Sequence, residues 1–155
     1  MDFITDRTAE DVARWQTLRD KGWDAMTSLE RAEWLLSVKG RYTHADMNRV
    51  ESAVQELSTR LRELGYIPPS LSVKTNWTVS DIPTKTDFDR YFGNVEALSA
   101  LISLPPFTPL PPSTETRLDY QRANDLEQIL SDIDTVTTNL QKSWYFSGDI
   151  LAGEA

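Results

Sequence analysis

The stretch that decides the fold is THADMNRVESAVQELSTRLREL, residues 43–64. Its apolar residues recur at alternating steps of three and four, which places them on one face of an α-helix. They are Met47, Val50, Val54, Leu57, Leu61 and Leu64. Thr43 and Asp46 have the spacing of a capping box, and Gly65 follows the last apolar residue. We therefore expect a helix roughly 30 Å long. Its opposite face is expected to be charged and solvent-exposed, with Arg49, Glu51, Glu56, Arg60, Arg62 and Glu63.

The same signals recur on both sides of this stretch. A threonine followed three residues later by an acidic residue opens three more helices, and a further apolar stripe follows Asp119. Gly22 and Gly40 are predicted to stop the first two. The predicted helices lie near 8–21, 27–38, 43–64, 84–103 and 119–142. The sequence therefore predicts an all-α fold, a bundle of four to five helices with a long irregular crossing and a non-helical C-terminal tail.

Two connections lack a helical period. Residues 66–83 are predicted to form the irregular crossing that packs Trp77 onto the helices, with a short extended segment over 71–79 as an alternative. Residues 104–112 contain five of the eight prolines, so neither a helix nor a central strand is expected there. This stretch is predicted to be stiff and polyproline-like.

The composition excludes several classes of function. A net charge of −8 argues against binding to nucleic acid or to an anionic membrane surface. Without cysteine there is no disulfide, thiolate metal site or cysteine nucleophile, and His44 is the single histidine. The charge is uneven: residues 1–75 carry 12 acidic and 11 basic side chains, and residues 76–155 carry 12 and 5. The second half is therefore where a partner with complementary charge is sought first.

The chain divides into a helical domain, 1–142, and a C-terminal interaction tail, 143–155. The tail is apolar but has no helical period, and its three consecutive aromatic residues cannot all enter one core. Two interpretations remain open: the tail packs on its own bundle, or it packs on a partner. The predicted partner-binding residues lie in the tail and the proline-rich stretch: Trp144, Tyr145, Phe146, Ile150, Leu151, Phe107 and Leu110.

Little in the sequence indicates catalysis, a metal or a cofactor. The six glycines are scattered, so there is no phosphate-binding loop. Asp132 and Asp134 would diverge on a helix and are expected to be exposed, and Asp87 and Asp89 are interpreted in the same way. A small hydrolase built around His44 is a minor hypothesis. We predict no catalytic residue, no metal ligand and no cofactor.

Helices two and three also permit a DNA-binding hypothesis. Residues 27–64 resemble a helix-turn-helix pair, and Lys39, Arg41, His44 and Arg49 make it locally basic. The second helix also carries acidic side chains that would face phosphates. A DNA-binding regulator is therefore the alternative function, and two packed helices are the simpler interpretation.

Several motifs, in order, resemble a known module. DRTAEDV (6–12) resembles an opening DRTxxDV, and KGRYTHADMNRVE (39–51) resembles KGxYNxxDLNRVE. Trp77 with DIPT (81–84) and RYFGNV (90–95) resembles W…DIPT…RYLxNV, and LDYQRANDLE (118–127) resembles LTYxxANxIE. SGD (147–149) with GE (153–154) resembles a paired SGE…GE ending. Departures include Thr43 for Asn, Met47 for Leu and Phe92 for Leu.

The chain is thus similar to a module of structural proteins from phages and prophages of Gram-positive bacteria, typically encoded among tail and baseplate genes. The resemblance implies a virion structural protein, made in the host cytoplasm, that contacts other tail or baseplate proteins and has no enzymatic task. It also implies a homo-oligomer, a trimer or hexamer around the tail axis. No nucleic-acid or membrane partner is expected.

Overall fold

The computed structural model describes residues 1–36, 38–112 and 118–152, the last nine of them as helical backbone only. This part of the chain contains five α-helices: α1 (Ala9–Lys21), α2 (Ser28–Leu35), α3 (His44–Glu63), α4 (Lys85–Ser99) and α5 (Tyr120–Ala152). A 3₁₀ turn, Trp23–Ala25, joins α1 to α2, and no β-strand occurs in these ranges. The predicted all-α bundle is confirmed.

Acidic side chains cap the helix starts as the sequence predicts. The first four helices follow a threonine whose backbone N–H donates to the acidic side chain three residues later, at 2.7–2.9 Å. The pairs are Thr8 and Asp11, Thr27 and Glu30, Thr43 and Asp46, and Thr84 and Asp87. At α5 the N–H of Arg122 donates to Asp119 at 2.9 Å. These bonds satisfy backbone groups that a helix end otherwise leaves unpaired.

The main core lies between α3, α4 and α5. The apolar stripe of α3 is buried from Met47 to Leu61, as predicted, and it faces the stripes of α4 and α5. The largest fully buried apolar side chains are Tyr91, Phe92, Leu18, Leu57, Leu61, Leu98, Leu126, Ile129, Leu130 and Ile133. Burial of such side chains stabilises a fold by roughly 1.5–3 kcal/mol each.

A second, smaller core joins α1 to α2. Leu18, Met26 and Val38 are buried together, and Trp15 and Trp34 pack against them. The spacing of Leu29, Leu35 and Val38 predicts one shared helical face, but only Val38 is buried in this core. Helix α2 ends at Leu35 rather than near residue 38, so Val38 reaches the core from the following turn. Leu29 and Leu35 remain 83% and 74% exposed.

Gly40 has a different role from the predicted one. It lies after the end of α2, so it does not stop that helix. Instead the chain passes so close to α1 that a Cβ on Gly40 would lie 2.1 Å from the carbonyl oxygen of Asp11. The absence of a side chain at Gly40 therefore permits the approach between this turn and α1.

Replacing Gly40 by alanine is expected to lower the free energy of unfolding by about 1–3 kcal/mol, because backbone atoms cannot move aside as a flexible side chain can. Urea denaturation followed by circular dichroism measures the change. Gly93→Ala is the matched control: a Cβ there meets nothing within 4 Å, and the residue lies within α4. Alanine at Gly93 is expected to be neutral or stabilising by up to ~1 kcal/mol. Equal effects of the two substitutions would contradict the close approach.

Two further helix ends differ from the sequence prediction. Helix α4 ends at Ser99, where the prediction extends it to residue 103. Its last turn tightens, since the N–H of Leu101 donates to the carbonyl of Leu98, three residues back, at 3.1 Å. Helix α5 continues to Ala152, ten residues beyond the predicted end near residue 142. Residues 143–152 are therefore helical where the pattern predicts a non-helical tail. Hydrophobic periodicity reports which face is buried, not whether the backbone is helical, and the single Gly148 costs only about 1 kcal/mol relative to alanine.

The two irregular connections pack against the helices. Residues 66–84 have no regular secondary structure, and Trp77 is buried on α3 as predicted. No β-strand forms over residues 71–79. In the proline-rich stretch the N–H of Thr108 donates to the carbonyl of Pro105 at 3.0 Å, so this part is a turn rather than a continuous polyproline helix. The hydroxyl of Thr108 donates to Asp132 on α5 at 2.6 Å, which fixes the turn to the bundle.

Candidate functional site

Four charged side chains form a buried cluster between the N-terminal segment, α3 and α5. We call Arg7, Asp46, Arg49 and Glu127 the Glu127 cluster. Arg7 Nη2 donates to Asp46 Oδ1 at 3.0 Å and to Glu127 Oε1 at 2.8 Å. Arg49 Nη2 bridges the same two oxygens at 2.7 Å each. The backbone N–H of Ile4 donates to Glu127 Oε2 at 2.7 Å. Two cations and two anions thus neutralise each other in the interior.

The cluster keeps Asp46 ionised. Burial opposes ionisation of Asp46, but hydrogen bonds from Arg49 and Thr43 outweigh it, and the pKa of Asp46 falls below its usual value of 3.8. Burial likewise opposes the charge on Arg49, yet hydrogen bonds to Glu127 and Asp46 raise the pKa of Arg49. A carboxylate such as Asp46, whose pKa is lowered and whose oxygens accept several hydrogen bonds, is a poor general acid or base near neutral pH.

The lowered pKa of Asp46 makes stability depend on acid. An acid whose pKa is lower when folded contributes stability above its unfolded pKa, and loses it as the pH falls through the folded value. We expect the free energy of unfolding to drop below about pH 3.8, with a shallower drop in Asp46→Asn, whose side chain binds no proton. Urea denaturation at a series of pH values measures both slopes. If the free energy of unfolding depended on pH in the same way in Asp46→Asn and in the unchanged protein, both in acid and near neutral pH, this linkage would be contradicted.

A second buried cluster fixes the irregular crossing to α3. We call Glu51, Lys74, Trp77 and Arg90 the Glu51 cluster. Glu51 Oε1 accepts from Trp77 Nε1 at 2.9 Å and from Arg90 Nη2 at 2.7 Å. Glu51 Oε2 accepts from the backbone N–H of Lys74 at 2.6 Å and also from Arg90 Nη1. The hydrogen bond to Glu51 raises the pKa of Arg90, which stays charged. The cluster therefore holds the crossing in place rather than presenting a reactive group.

The sequence places these side chains incorrectly. The pattern predicts Arg49, Glu51 and Arg60 on the charged solvent face of α3, but Glu51 is only 1% exposed. Arg49 belongs to the Glu127 cluster, and Arg60 pairs with Asp134 on α5. A charged residue beside a helical stripe is usually exposed. The burial of these charges depends on partners 23 to 78 residues away in sequence.

The polar residues of the sequence motifs converge in these clusters. The DRTxxDV motif supplies Arg7, and the KGxYNxxDLNRVE motif supplies Asp46, Arg49 and Glu51. The later motifs supply Trp77, Arg90 and Glu127. From the same motifs, Asn48 exchanges two hydrogen bonds with the backbone of Trp77, Asn124 exchanges two with the backbone of Arg7, and Asn94 donates to Ser72. The resemblance thus rests largely on residues that hold the interior together.

The other candidate chemical residues do not assemble into a site. His44 is exposed on the first turn of α3. Asp132, predicted to be exposed, is buried and accepts from Thr108 and Gln128. Asp134 pairs with Arg60, and Asp87 caps α4. Among the side chains of residues 1–36, 38–112 and 118–143, no group of three or more His, Asp and Glu could hold a metal ion.

The basic residues of the helix-turn-helix hypothesis are largely engaged within the protein. Lys39 pairs with Asp6 at 2.6 Å, and Arg49 is held in the Glu127 cluster. The guanidinium of Arg41 lies 5.7 Å from the centre of the Trp34 ring. No basic stripe along α3 faces solvent as a phosphate-binding surface would require.

The predicted partner-binding residues fall into two groups. Phe107 and Leu110 are 79% and 87% exposed beside the turn that Thr108 fixes to α5. Both side chains are thus accessible to a partner, and their role in binding stays a prediction. Trp144, Tyr145, Phe146, Ile150 and Leu151 lie on the last turns of α5, and their side chains are outside the described part of the structure.

A pocket that sequence reasoning missed lies between α1 and the start of α5. Its volume is about 360 Å³, and Trp15, Tyr42 and Tyr120 form its aromatic walls. Arg7 and Trp15 line it, and Arg7 Nε and Trp15 Nε1 are buried without a hydrogen-bond partner in the described ranges. No sequence signal joins these residues, because residues 7–42 and 118–123 meet only in the folded chain.

Comparison with known proteins does not assign the chain to a family. No family model, no curated protein and no solved structure matches the chain. In the ranges that the structure describes, no helix is long and apolar enough to cross a membrane.

Proposed function

We propose that this chain is a structural component of a bacteriophage virion, in the tail or baseplate, and that it acts through protein–protein contacts without a catalytic task. The observation that carries the proposal is the division between interior and surface. The polar motif residues form buried clusters inside the bundle. The apolar side chains of Phe107 and Leu110, in contrast, are exposed beside the turn that Thr108 bonds to α5. A domain that serves as a building block needs this combination of a rigid interior and apolar contact surfaces.

The proposed contact surface comprises the proline segment, residues 105–112, together with the end of α5. Phe107 is 79% exposed at the turn, and the bond from Thr108 to Asp132 limits the freedom that binding would have to remove. The resemblance to tail and baseplate modules supports partners of the same origin. It also supports a trimer or hexamer around the tail axis.

The proposal is tested with the proteins encoded by the neighbouring genes. Each is co-expressed with the full chain, and complexes are measured by size-exclusion chromatography with light scattering. We expect at least one stable complex, which Phe107→Ser weakens at least tenfold, the scale expected for a buried aromatic contact. Val79→Ser is the matched control, since Val79 is 78% exposed on another connection. If the chain formed a complex with none of the neighbouring tail proteins, the proposal would be overturned.

A further inference from the structure

The two apolar cores of the protein are separate. We call residues 8–36, which contain α1 and α2, the α1–α2 unit. None of the described side chains of this unit belongs to the main core or packs against it. The second core joins α1 and α2 to the turns beside them, and no described side chain of α3, α4 or α5 takes part in it. The α1–α2 unit therefore has apolar packing of its own and adds none to the main core.

Polar contacts do not join this unit to the bundle either. Within the ranges that the structure describes, the hydrogen bonds and ion pairs of residues 8–36 stay inside the unit, as those from Arg14 to Glu33 do. The unit faces the start of α5 across the pocket, which leaves about 360 Å³ between walls that include Trp15 and Tyr120. Relative motion of two units is expected unless a large, apolar interface joins them.

The chain enters and leaves the α1–α2 unit at one place on the bundle. Before the unit, the N–H of Arg7 donates to Asn124 at 3.1 Å, and its guanidinium donates within the Glu127 cluster. After the unit, the hydroxyl of Tyr42 shares a hydrogen bond with that of Tyr91. The guanidinium of Arg7 lies 5.3 Å from the centre of the Tyr42 ring. Two fixed points so close together form a narrow hinge.

We propose that the α1–α2 unit is a hinged lid. It swings as one body about Arg7 and Tyr42, and this movement opens and closes the pocket against the start of α5. Leu29, Leu35 and Leu36 are exposed on the lid, so the movement also displaces these apolar side chains relative to the bundle. The movement is separate from the contact surface proposed above.

Distances between pairs of spin labels on the full chain test the lid. The chain has no cysteine, so two introduced cysteines are the only labelling sites. One pair spans the hinge: Ala32→Cys on α2 with Thr135→Cys on α5. Two control pairs do not: Ala13→Cys with Ala32→Cys in the lid, and Gln55→Cys with Thr135→Cys in the bundle. All four positions are exposed, so the labels do not disturb a core.

Double electron–electron resonance measures the distribution of distances for each pair. We expect the distribution of the spanning pair to be about twice as broad as that of either control. A spanning pair as narrow as the controls would overturn the inference. A broad distribution for the pair in the lid would also overturn it, because α1 and α2 would then not move as one body. So would a broad distribution for the pair in the bundle, which would then not be the fixed part.

A substitution in the pocket tests where the lid closes. Gln16 is exposed and lines the pocket from α1. Leucine at this position gains burial against Leu118 and Tyr120 when the lid closes, so Gln16→Leu is expected to narrow the distribution of the spanning pair by about half. Thr17→Leu is the matched control, since Thr17 is exposed on the same helix and does not line the pocket. If Gln16→Leu left the distribution unchanged, or if Thr17→Leu narrowed it equally, the lid would not close on this pocket and the inference would be overturned.

Discussion

Replacing Glu127 by glutamine is expected to lower the free energy of unfolding by about 3–5 kcal/mol, the cost of breaking a buried ion pair by removing one partner. Glu127 accepts four hydrogen bonds with its two oxygens. The donors are the N–H of Ile4, Arg7 Nη2, and Nε and Nη2 of Arg49. The amide nitrogen of glutamine would face some of these donors, and one positive charge would remain buried without compensation.

Urea denaturation of the full chain at neutral pH measures this loss. Glu96→Gln on α4 is the matched control, since Glu96 is exposed and the same chemical change there is expected to alter stability by less than about 0.5 kcal/mol. A Glu127→Gln protein as stable as the control would show that the cluster contributes little to the fold. The double variant Arg7→Met with Glu127→Gln should recover part of the loss, because it restores charge balance in the interior.

Glu51→Gln is expected to lower the free energy of unfolding by a similar amount, about 3–5 kcal/mol, and to act on a different part of the molecule. Both oxygens of Glu51 act as acceptors, and their donors belong to Lys74, Trp77 and Arg90. Glutamine replaces one of these oxygens by an NH₂ group, which is itself a donor, so it cannot make the same hydrogen bonds. Lys74 and Trp77 lie on the crossing between α3 and α4. In Glu51→Gln the crossing is therefore expected to unfold locally more often than the helices do.

Hydrogen exchange of backbone amides distinguishes this local effect from general destabilisation. We expect faster exchange at Lys74 and Trp77 in Glu51→Gln, beyond the change at Leu57 in the core of α3. Glu56→Gln is the matched control on the same helix, five residues from Glu51 and exposed. Uniform acceleration across the chain, with no excess at the crossing, would show that Glu51 does not hold this segment in place.

The helices and their starts follow from local chemistry, which is why the sequence predicts them well. The cap at Thr43 and Asp46 involves residues three apart, and the stripe from Met47 to Leu61 repeats within each turn. The same local logic fails at the C-terminus. The pattern predicts an end near residue 142 because the apolar period stops, although no proline interrupts the backbone, which stays helical to Ala152.

The candidate contact surface could be predicted from the sequence, whereas the aromatic pocket could not. The sequence singles out Phe107 and Leu110, because prolines on both sides interrupt the helical pattern, and both side chains are exposed. The aromatic pocket has no such local signal. Trp15 and Tyr120 lie 105 residues apart, and neither has neighbours in sequence that mark it as part of a binding surface.

The sequence by itself determined the all-α class, the positions of the helices and the face of α3 that is buried, because these depend on contacts between near neighbours. Only the tertiary structure decided where the charges lie. Glu51 and Glu127 resemble surface residues in sequence, yet each is buried and saturated by donors from distant segments. A buried charge is tolerated only when its partners are buried with it. Here the N-terminal segment and the irregular crossing bring those partners to α3, α4 and α5.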